Sequence, residues 1–270
     1  IDYAVRQMNV DMLHFDNFVM PQGYDKTSIE RFRAYLKKYY TPRSFDLENF
    51  DNVMPPPPKI LKIDSNDSKN SNGPWPQTYS WALGPEGPNS PLERAWVRFN
   101  CDSLAEAYWD LSDYARSIQP DILIECNPAG VTDYVRDAVD HGKLMRYGEA
   151  MWDELNHAKW ENGKLSTKIR TYRMAQSMNQ IVFAYSRTPV PAAEALAFND
   201  DCLGCVVYHL DEQIEIPKEI LPYIRFFHEK RPFYRYAKRL PNIAHLRSFA
   251  SEFLMKSSVS RPGYDFEDFL

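Results

Sequence analysis

The sequence lacks three features that would each point to a particular class of protein. Its 270 residues carry no excess of basic charge, with 32 Lys and Arg against 37 Asp and Glu, so neither nucleic acid nor an anionic membrane surface is predicted as a partner. No apolar run approaches the ~18 residues of a membrane span. Four cysteines are too few for a disulfide scaffold. The composition is instead globular, with 44% hydrophobic and 14% aromatic residues.

Several catalytic signatures are missing as well. No Gly-x-Gly-x-x-Gly or Gly-x-x-x-x-Gly-Lys occurs, which argues against nucleotide binding. The Gly-x-Ser-x-Gly elbow of serine hydrolases is absent. Cys202 and Cys205 have the spacing of half a zinc site. No second pair accompanies them, and Cys205 falls in an apolar segment. We therefore predict no metal and no cofactor.

Short apolar runs alternate with longer helical patterns. Strands are predicted at residues 11–15, 121–126, 143–149, 180–185 and 204–210. Helices are predicted at residues 28–40, 92–118, 133–140, 165–178, 191–198 and 220–237. This alternation predicts an α/β fold with a parallel sheet. The pattern alone fits both part of a (β/α)8 barrel and an open doubly wound sheet.

A proline-rich segment at residues 42–91 interrupts the alternation. It holds ten of the chain's 20 prolines, a density that excludes a long helix or a central strand. It also contains Trp75, Tyr79 and Trp81, which are costly to leave in a solvated linker. We expect the segment to lie over the rim of the sheet and form part of a substrate cleft; the alternative is a disordered excursion.

Polar and aromatic side chains follow the predicted strands. Because the carboxyl ends of parallel strands meet at one edge of a sheet, these side chains are expected to converge. The candidates are His14, Asp16, Asn17, Glu125, Asn127, Tyr147, Glu149, Trp152, Tyr185 and His209. Alternation puts His14 with Asp16, Glu125 with Asn127, and Tyr147 with Glu149 on matching faces.

Paired carboxylates among aromatic rings are typical of glycoside hydrolysis. One carboxyl group protonates the leaving oxygen, and the other attacks the anomeric carbon or activates water. The competing interpretation is that acidic residues after strands cap helices or sit in loops. Acids that follow four of the five strands favour the catalytic interpretation without naming the pair.

The segment VDMLHFDNF at 10–18 resembles the fourth strand of (β/α)8 glycoside hydrolases of the beta-galactosidase-like group, including its hypothetical glycosyl hydrolase families. Their pattern is apolar-Asp-Gly-apolar-apolar-Phe-Asp-Asn, from which this chain departs at Met12 and His14. FRAYLKKYY (32–40), the helix and strand at 96–128, and YGEAMWDE (147–154) resemble the same group. NIAHLRSFASEF (242–253) resembles the entry to its flavodoxin-like trimerisation domain.

This resemblance implies a partial TIM barrel, strands four to eight, at residues 1–240, with the insertion at 42–91. Residues 241–270 would begin a trimerisation domain, and the full-length protein would be a homotrimer. The chain begins at Ile1 without a targeting pattern, so we expect a piece of a longer protein. Cytoplasmic, periplasmic and secreted locations all remain open.

The resemblance also implies roles for the site residues. The Glu pair of beta-galactosidase-type barrels does not match here, since strand four ends Asp16-Asn17 and strand seven ends Tyr185-Ser186. Barrels like alpha-galactosidase and alpha-glucosidase use an Asp at strand four and an acid at strand six. On that layout Asp16 is the nucleophile or stabiliser and Glu149 the general acid/base, with Glu125 as the competitor for the acid role. The remaining candidates would bind carbohydrate. The alternative function is a non-catalytic carbohydrate-binding or assembly barrel.

Overall fold

The computed structural model describes residues 1–19, 23–57, 90–128, 139–154, 158–161, 163–199, 201–205 and 216–234. Several predictions fall outside these residues. They concern His209, the aromatic part of the proline-rich segment, the strand at 204–210 beyond Cys205, most of the helix at 133–140, and the trimerisation segment at 241–270.

The described elements alternate as the sequence predicts. The strands are β1 (Met12–Phe15), β2 (Leu123–Cys126), β3 (Ala150–Asp153), β4 (Lys159–Glu161), β5 (Lys164–Ser166) and β6 (Ile181–Ala184). The helices are α1 (Lys26–Tyr39), α2 (Pro91–Ile118), α3 (His141–Leu144), α4 (Ile169–Ser177), α5 (Pro189–Phe198) and α6 (Leu221–Tyr234). A π-helical turn spans Tyr3–Gln7 and a 3-10 turn spans Pro42–Phe45. None of the described helices is long and apolar enough to cross a membrane.

Four strands form one parallel sheet in the order β1-β2-β3-β6. Met12 of β1 pairs with Leu123 of β2, and Ala150 of β3 pairs with Ile181 of β6. Beyond β6, a parallel bridge joins Tyr185 to Cys205, where the fifth strand was predicted to begin. The prediction of a parallel α/β sheet is confirmed, and the arrangement is consistent with part of an α/β barrel.

Helices cover one face of this sheet. Ile124 and Cys126 of β2 pack in one core cluster with Tyr108 of α2. Met151 and Val182 belong to a second core cluster, formed with α4 and α5. Because side chains alternate along a strand, the intervening residues of each strand point to the opposite face. The candidate site residues of β1 and β2 lie on that opposite face.

Helix α2 is much longer than the strands. Its 28 residues span about 42 Å at ~1.5 Å per residue, whereas a four-residue strand spans about 13 Å. Ser90 caps the start of the helix and forms a capping box with Glu93. The excess length carries the first half of α2 into a separate aromatic cluster with α1, in which Trp96 stacks on Phe99 at 5.4 Å.

The strand predicted at 143–149 was wrong in position. Residues 141–144 form α3 instead, because the Asp140 side chain accepts a hydrogen bond from the Lys143 amide and caps a helical turn. The strand begins at Ala150, whose buried neighbour Met151 pairs with both β2 and β6. Glu149 therefore precedes this strand instead of ending it.

The helix predicted at 165–178 begins later than expected. Residues 159–166 form an antiparallel hairpin of β4 and β5, and Gly163, with φ of +76°, supplies the left-handed conformation of its turn. Helix α4 then begins at Ile169, so the first residues of the predicted helix belong to β5.

A buried ion pair joins β3 to the start of α4. Lys168 Nζ lies 2.8 Å from Asp153 Oδ1, and the two side chains are only 3% and 4% exposed. Thr171 also donates to Asp153 at 2.9 Å. Burial lowers the pKa of Lys168, and Asp153 opposes that effect. The two opposite charges therefore stabilise each other in a place where neither is solvated.

We predict that Lys168→Met lowers the free energy of unfolding by about 3–5 kcal/mol, because it leaves the carboxylate of Asp153 buried without its cation. Chemical denaturation followed by circular dichroism measures this loss. The matched control is Lys26→Met on α1, where the side chain is 88% exposed and a change below about 1 kcal/mol is expected. Equal unfolding midpoints for the two variants would contradict the prediction.

Candidate active site

Four polar side chains meet at the carboxyl ends of β1 and β2, on the face opposite the helices. The strand register pairs His14 with Glu125. One pleat further, Asn127 Nδ2 donates a hydrogen bond to Asp16 Oδ1 at 3.0 Å. The predicted alternation, His14 with Asp16 and Glu125 with Asn127, is confirmed.

The His14 imidazole lies between two carboxylates. Its Nδ1 forms a hydrogen bond with Glu125 Oε2, and its Nε2 lies 3.6 Å from Asp16 Oδ1. A neutral imidazole has one N–H donor and one acceptor, and an imidazolium has two donors. His14 can therefore pass or hold a proton on the Glu125 side while facing Asp16 on the other.

Glu125 is the buried member of the pair, with 1% of its surface exposed. Burial raises the pKa of its carboxyl group, while the hydrogen bond and charge of His14 lower it and the charge of Asp16 raises it. Its Oε1 atom is buried and has no hydrogen-bond partner within the described residues. Such an environment favours the protonated acid at a higher pH than an ordinary glutamate.

Asp16 is the exposed member, with 59% of its side chain accessible. Its carboxylate accepts hydrogen bonds from the Asn17 amide at 2.9 Å, from Asn17 Nδ2 at 3.0 Å and from Asn127 Nδ2. Asn17 has a φ of +48°, a left-handed conformation that Asn tolerates better than most residues. Together these donors orient the carboxylate at the rim of the sheet.

Aromatic rings line the same face. The Trp152 ring stands edge-on to His14, with 6.1 Å between ring centroids, and lies 5.5 Å from the Tyr185 ring. Tyr185 donates a hydrogen bond to Glu154 at 3.1 Å. Trp152 Nε1 is buried, and no hydrogen-bond partner for it lies among the described residues. Trp152 and Tyr185 thus form an aromatic wall beside the carboxylates of Asp16 and Glu125. Glu154 lies at the Tyr185 end of this wall.

The structure does not bring Glu149 to this cluster. Glu149 precedes β3, and it accepts hydrogen bonds from the Ile124 amide at the start of β2 and from Arg116 at the end of α2, both at 2.7 Å. Tyr147 also lies beside α2, with its ring stacked on Trp109 at 4.9 Å. Both residues join α2 to the amino end of the sheet, because β3 begins only at Ala150.

The chain has little detectable similarity to known proteins. No protein family and no curated protein matches the chain. Among solved structures, it is similar to a beta-galactosidase from Bacillus circulans sp. alkalophilus, at 15% identity and a TM-score of 0.44, over 71% of this chain and 26% of that one. The chain thus spans about a quarter of that enzyme's length.

We predict that Glu125→Gln becomes more stable relative to wild type as the pH rises. The folded-state pKa of Glu125 is raised, so its contribution to stability is fully present below the unfolded pKa and is lost as pH rises through the folded value. Glutamine cannot ionise and avoids this loss. Melting temperatures measured between pH 5 and 8.5 test the trend.

The control for this trend is Ser112→Ala, which removes a buried hydrogen bond to the Tyr108 carbonyl without changing a charge. Its effect on the melting temperature should be the same at every pH. A Glu125→Gln difference that is equally flat across the range would mean that Glu125 is not held as an acid.

Proposed function

We propose that this protein is a glycoside hydrolase with Asp16 and Glu125 as its reacting carboxylates. In this proposal β1, β2, β3 and β6 are strands four to seven of a (β/α)8 barrel. The observation that carries it is the buried Glu125, which faces the exposed Asp16 across the His14 ring. Glu125 takes the acid role for which Glu149 was the first candidate.

The two carboxylates differ in environment, as the acid and the nucleophile of a glycosidase do. One imidazole ring lies between them, because His14 contacts Glu125 through Nδ1 and faces Asp16 through Nε2. Burial raises the pKa of Glu125, so it holds a proton to donate to the leaving oxygen. Asp16 is exposed and oriented by its three donors, so it attacks the anomeric carbon or activates water.

His14 acts on both carboxylates as a positioning residue. Its hydrogen bond with Glu125 fixes the acid, and an N–H at Nδ1 stabilises the carboxylate left after proton transfer. The aromatic wall supplies apolar ring surface for a sugar face. Glu125 Oε1 and Trp152 Nε1 are buried and have no hydrogen-bond partner among the described residues.

The same geometry also suits a barrel that binds carbohydrate without turnover, which remains the second candidate. The specific observation in its favour is that His14 already occupies one oxygen of Glu125. The homotrimer and the trimerisation domain at 241–270 also remain proposals.

We predict that Asp16→Asn lowers kcat/KM by about a thousandfold or more on every glycoside, and that Glu125→Gln does so on disaccharides, because each removes a reacting group. The protein is made from its full reading frame and assayed on 4-nitrophenyl glycosides of both anomers. Loss of an acid matters less when the leaving group is already good. Glu125→Gln should therefore lose more activity on disaccharides than on nitrophenyl substrates, whereas Asp16→Asn should lose activity on both.

Glu149→Gln is the comparison variant, expected to change kcat/KM only a few fold and to lower the melting temperature through its lost contact with Arg116. If Glu149→Gln instead removes turnover without loss of stability while Glu125→Gln stays active, the reacting pair is Asp16 and Glu149. Saccharide binding without turnover by the wild type would establish the non-catalytic function.

The pH profile provides a separate prediction. If Glu125 is the acid, kcat/KM falls as the pH rises through its raised pKa. His14 lowers that pKa, so His14→Leu should move the alkaline limb of the kcat/KM profile to higher pH. An alkaline limb that stays in place would exclude Glu125 as the group responsible for it.

A further inference from the structure

A cavity lies within the helical layer, away from the carboxylate site. Its volume is about 300 Å³, and it is lined by Tyr35, Tyr39, Tyr40, Arg98, Asp102 and Lys143. These residues come from α1 and the residue after it, from α2 and from α3. No sheet residue contributes, so the cavity shares no residue with the carboxylate site.

The acid in this cavity is already compensated. Lys143 Nζ forms a salt bridge with Asp102, and Tyr35 donates its hydroxyl hydrogen to Asp102 Oδ2 at 2.8 Å. Burial, together with the nearby Asp102, raises the pKa of Tyr35, so its phenol stays neutral. Asp140, which caps α3 through the Lys143 amide, does not line the cavity.

Arg98 supplies the remaining charge. It is exposed on α2 and forms no salt bridge with any carboxylate in the described part of the chain. With Asp102 offset by Lys143, the lining has one net positive charge, carried by a guanidinium. Guanidinium groups bind carboxylates through two parallel hydrogen bonds.

We propose that this cavity binds a hydroxylated organic carboxylate, specifically a single uronic acid unit. Arg98 holds the carboxylate, the hydroxyls of Tyr39 and Tyr40 bond to sugar hydroxyls, and the phenol rings pack against the sugar ring. Asp102 keeps lone pairs free to accept from a further hydroxyl. The volume lies at the lower end of the range for ligand pockets, which suits one sugar ring. This proposal goes beyond the hydrolase function and does not need it.

Calorimetry on the purified chain tests the proposal with three probes: glucuronate, glucose and inorganic phosphate. Glucuronate should bind at least tenfold more tightly than glucose or phosphate, since only glucuronate has both the charge and the hydroxylated ring. Its affinity should fall as salt is raised, because charge pairing at an exposed arginine is screened. Binding should persist in Glu125→Gln, which separates this test from the test of hydrolysis.

Three variants connect the binding to the cavity. Arg98→Gln should weaken glucuronate binding at least tenfold, and Arg98→Lys should weaken it by less, because lysine keeps the charge but loses the fork. The control is Arg225→Gln on α6, which should leave the affinity for glucuronate unchanged. Arg225 is also exposed, but its helix packs against the core cluster of Met151 and Val182. Because Arg98 is exposed, its variants should melt with the wild type. The proposal would be overturned if glucuronate does not bind, or if glucose or phosphate binds as tightly as glucuronate. It would also be overturned if Arg98→Gln binds glucuronate as tightly as the wild type.

Discussion

The parallel pairing of β1 with β2 is the constraint on which the candidate site depends. It joins segments about 110 residues apart in the chain, and its register sets His14 directly beside Glu125. A slip of one residue would turn one strand's polar side chains into the helical layer. The core prevents that slip, because Ile124 and Cys126 on the other face are buried against α2. Helix packing on one side of the sheet thus fixes the carboxylate geometry on the other.

Two carboxylates at this edge experience opposite environments. Glu125 is almost fully buried, which raises its pKa; Asp16 stands in the open and is oriented by amide donors. A buried acid of this kind costs stability whenever it ionises. An apolar residue at this position would carry no such cost.

Helix α2 connects the two sites proposed here. Its second half covers the sheet, and its excess length carries the first half onto α1, away from the strands. Asp102 lies near the middle of the helix, where it reaches both Tyr35 of α1 and Lys143 of α3. The cavity therefore forms because α2 is longer than the strands against which it packs. A helix matched to the strands would leave α1 no surface to pack on and no space between them.

Local signals predicted the elements of the fold well, while pairings between distant segments could not be predicted. The helix predicted at 92–118 depends on local signals, and the structure has it at Pro91–Ile118. The prediction of a strand at 143–149 was wrong because Asp140 caps a helical turn there. The alternation of apolar and polar residues in this segment is weak and does not overcome that cap. Because the strand begins only at Ala150, Glu149 contacts Arg116 instead of lying at the expected rim of the sheet. The contact between His14 and Glu125 depends on the register between strands far apart in the chain, and local patterns along the sequence do not reveal that register. Sequence reasoning therefore identified Asp16, His14 and Glu125 as candidates, and the register brought them together.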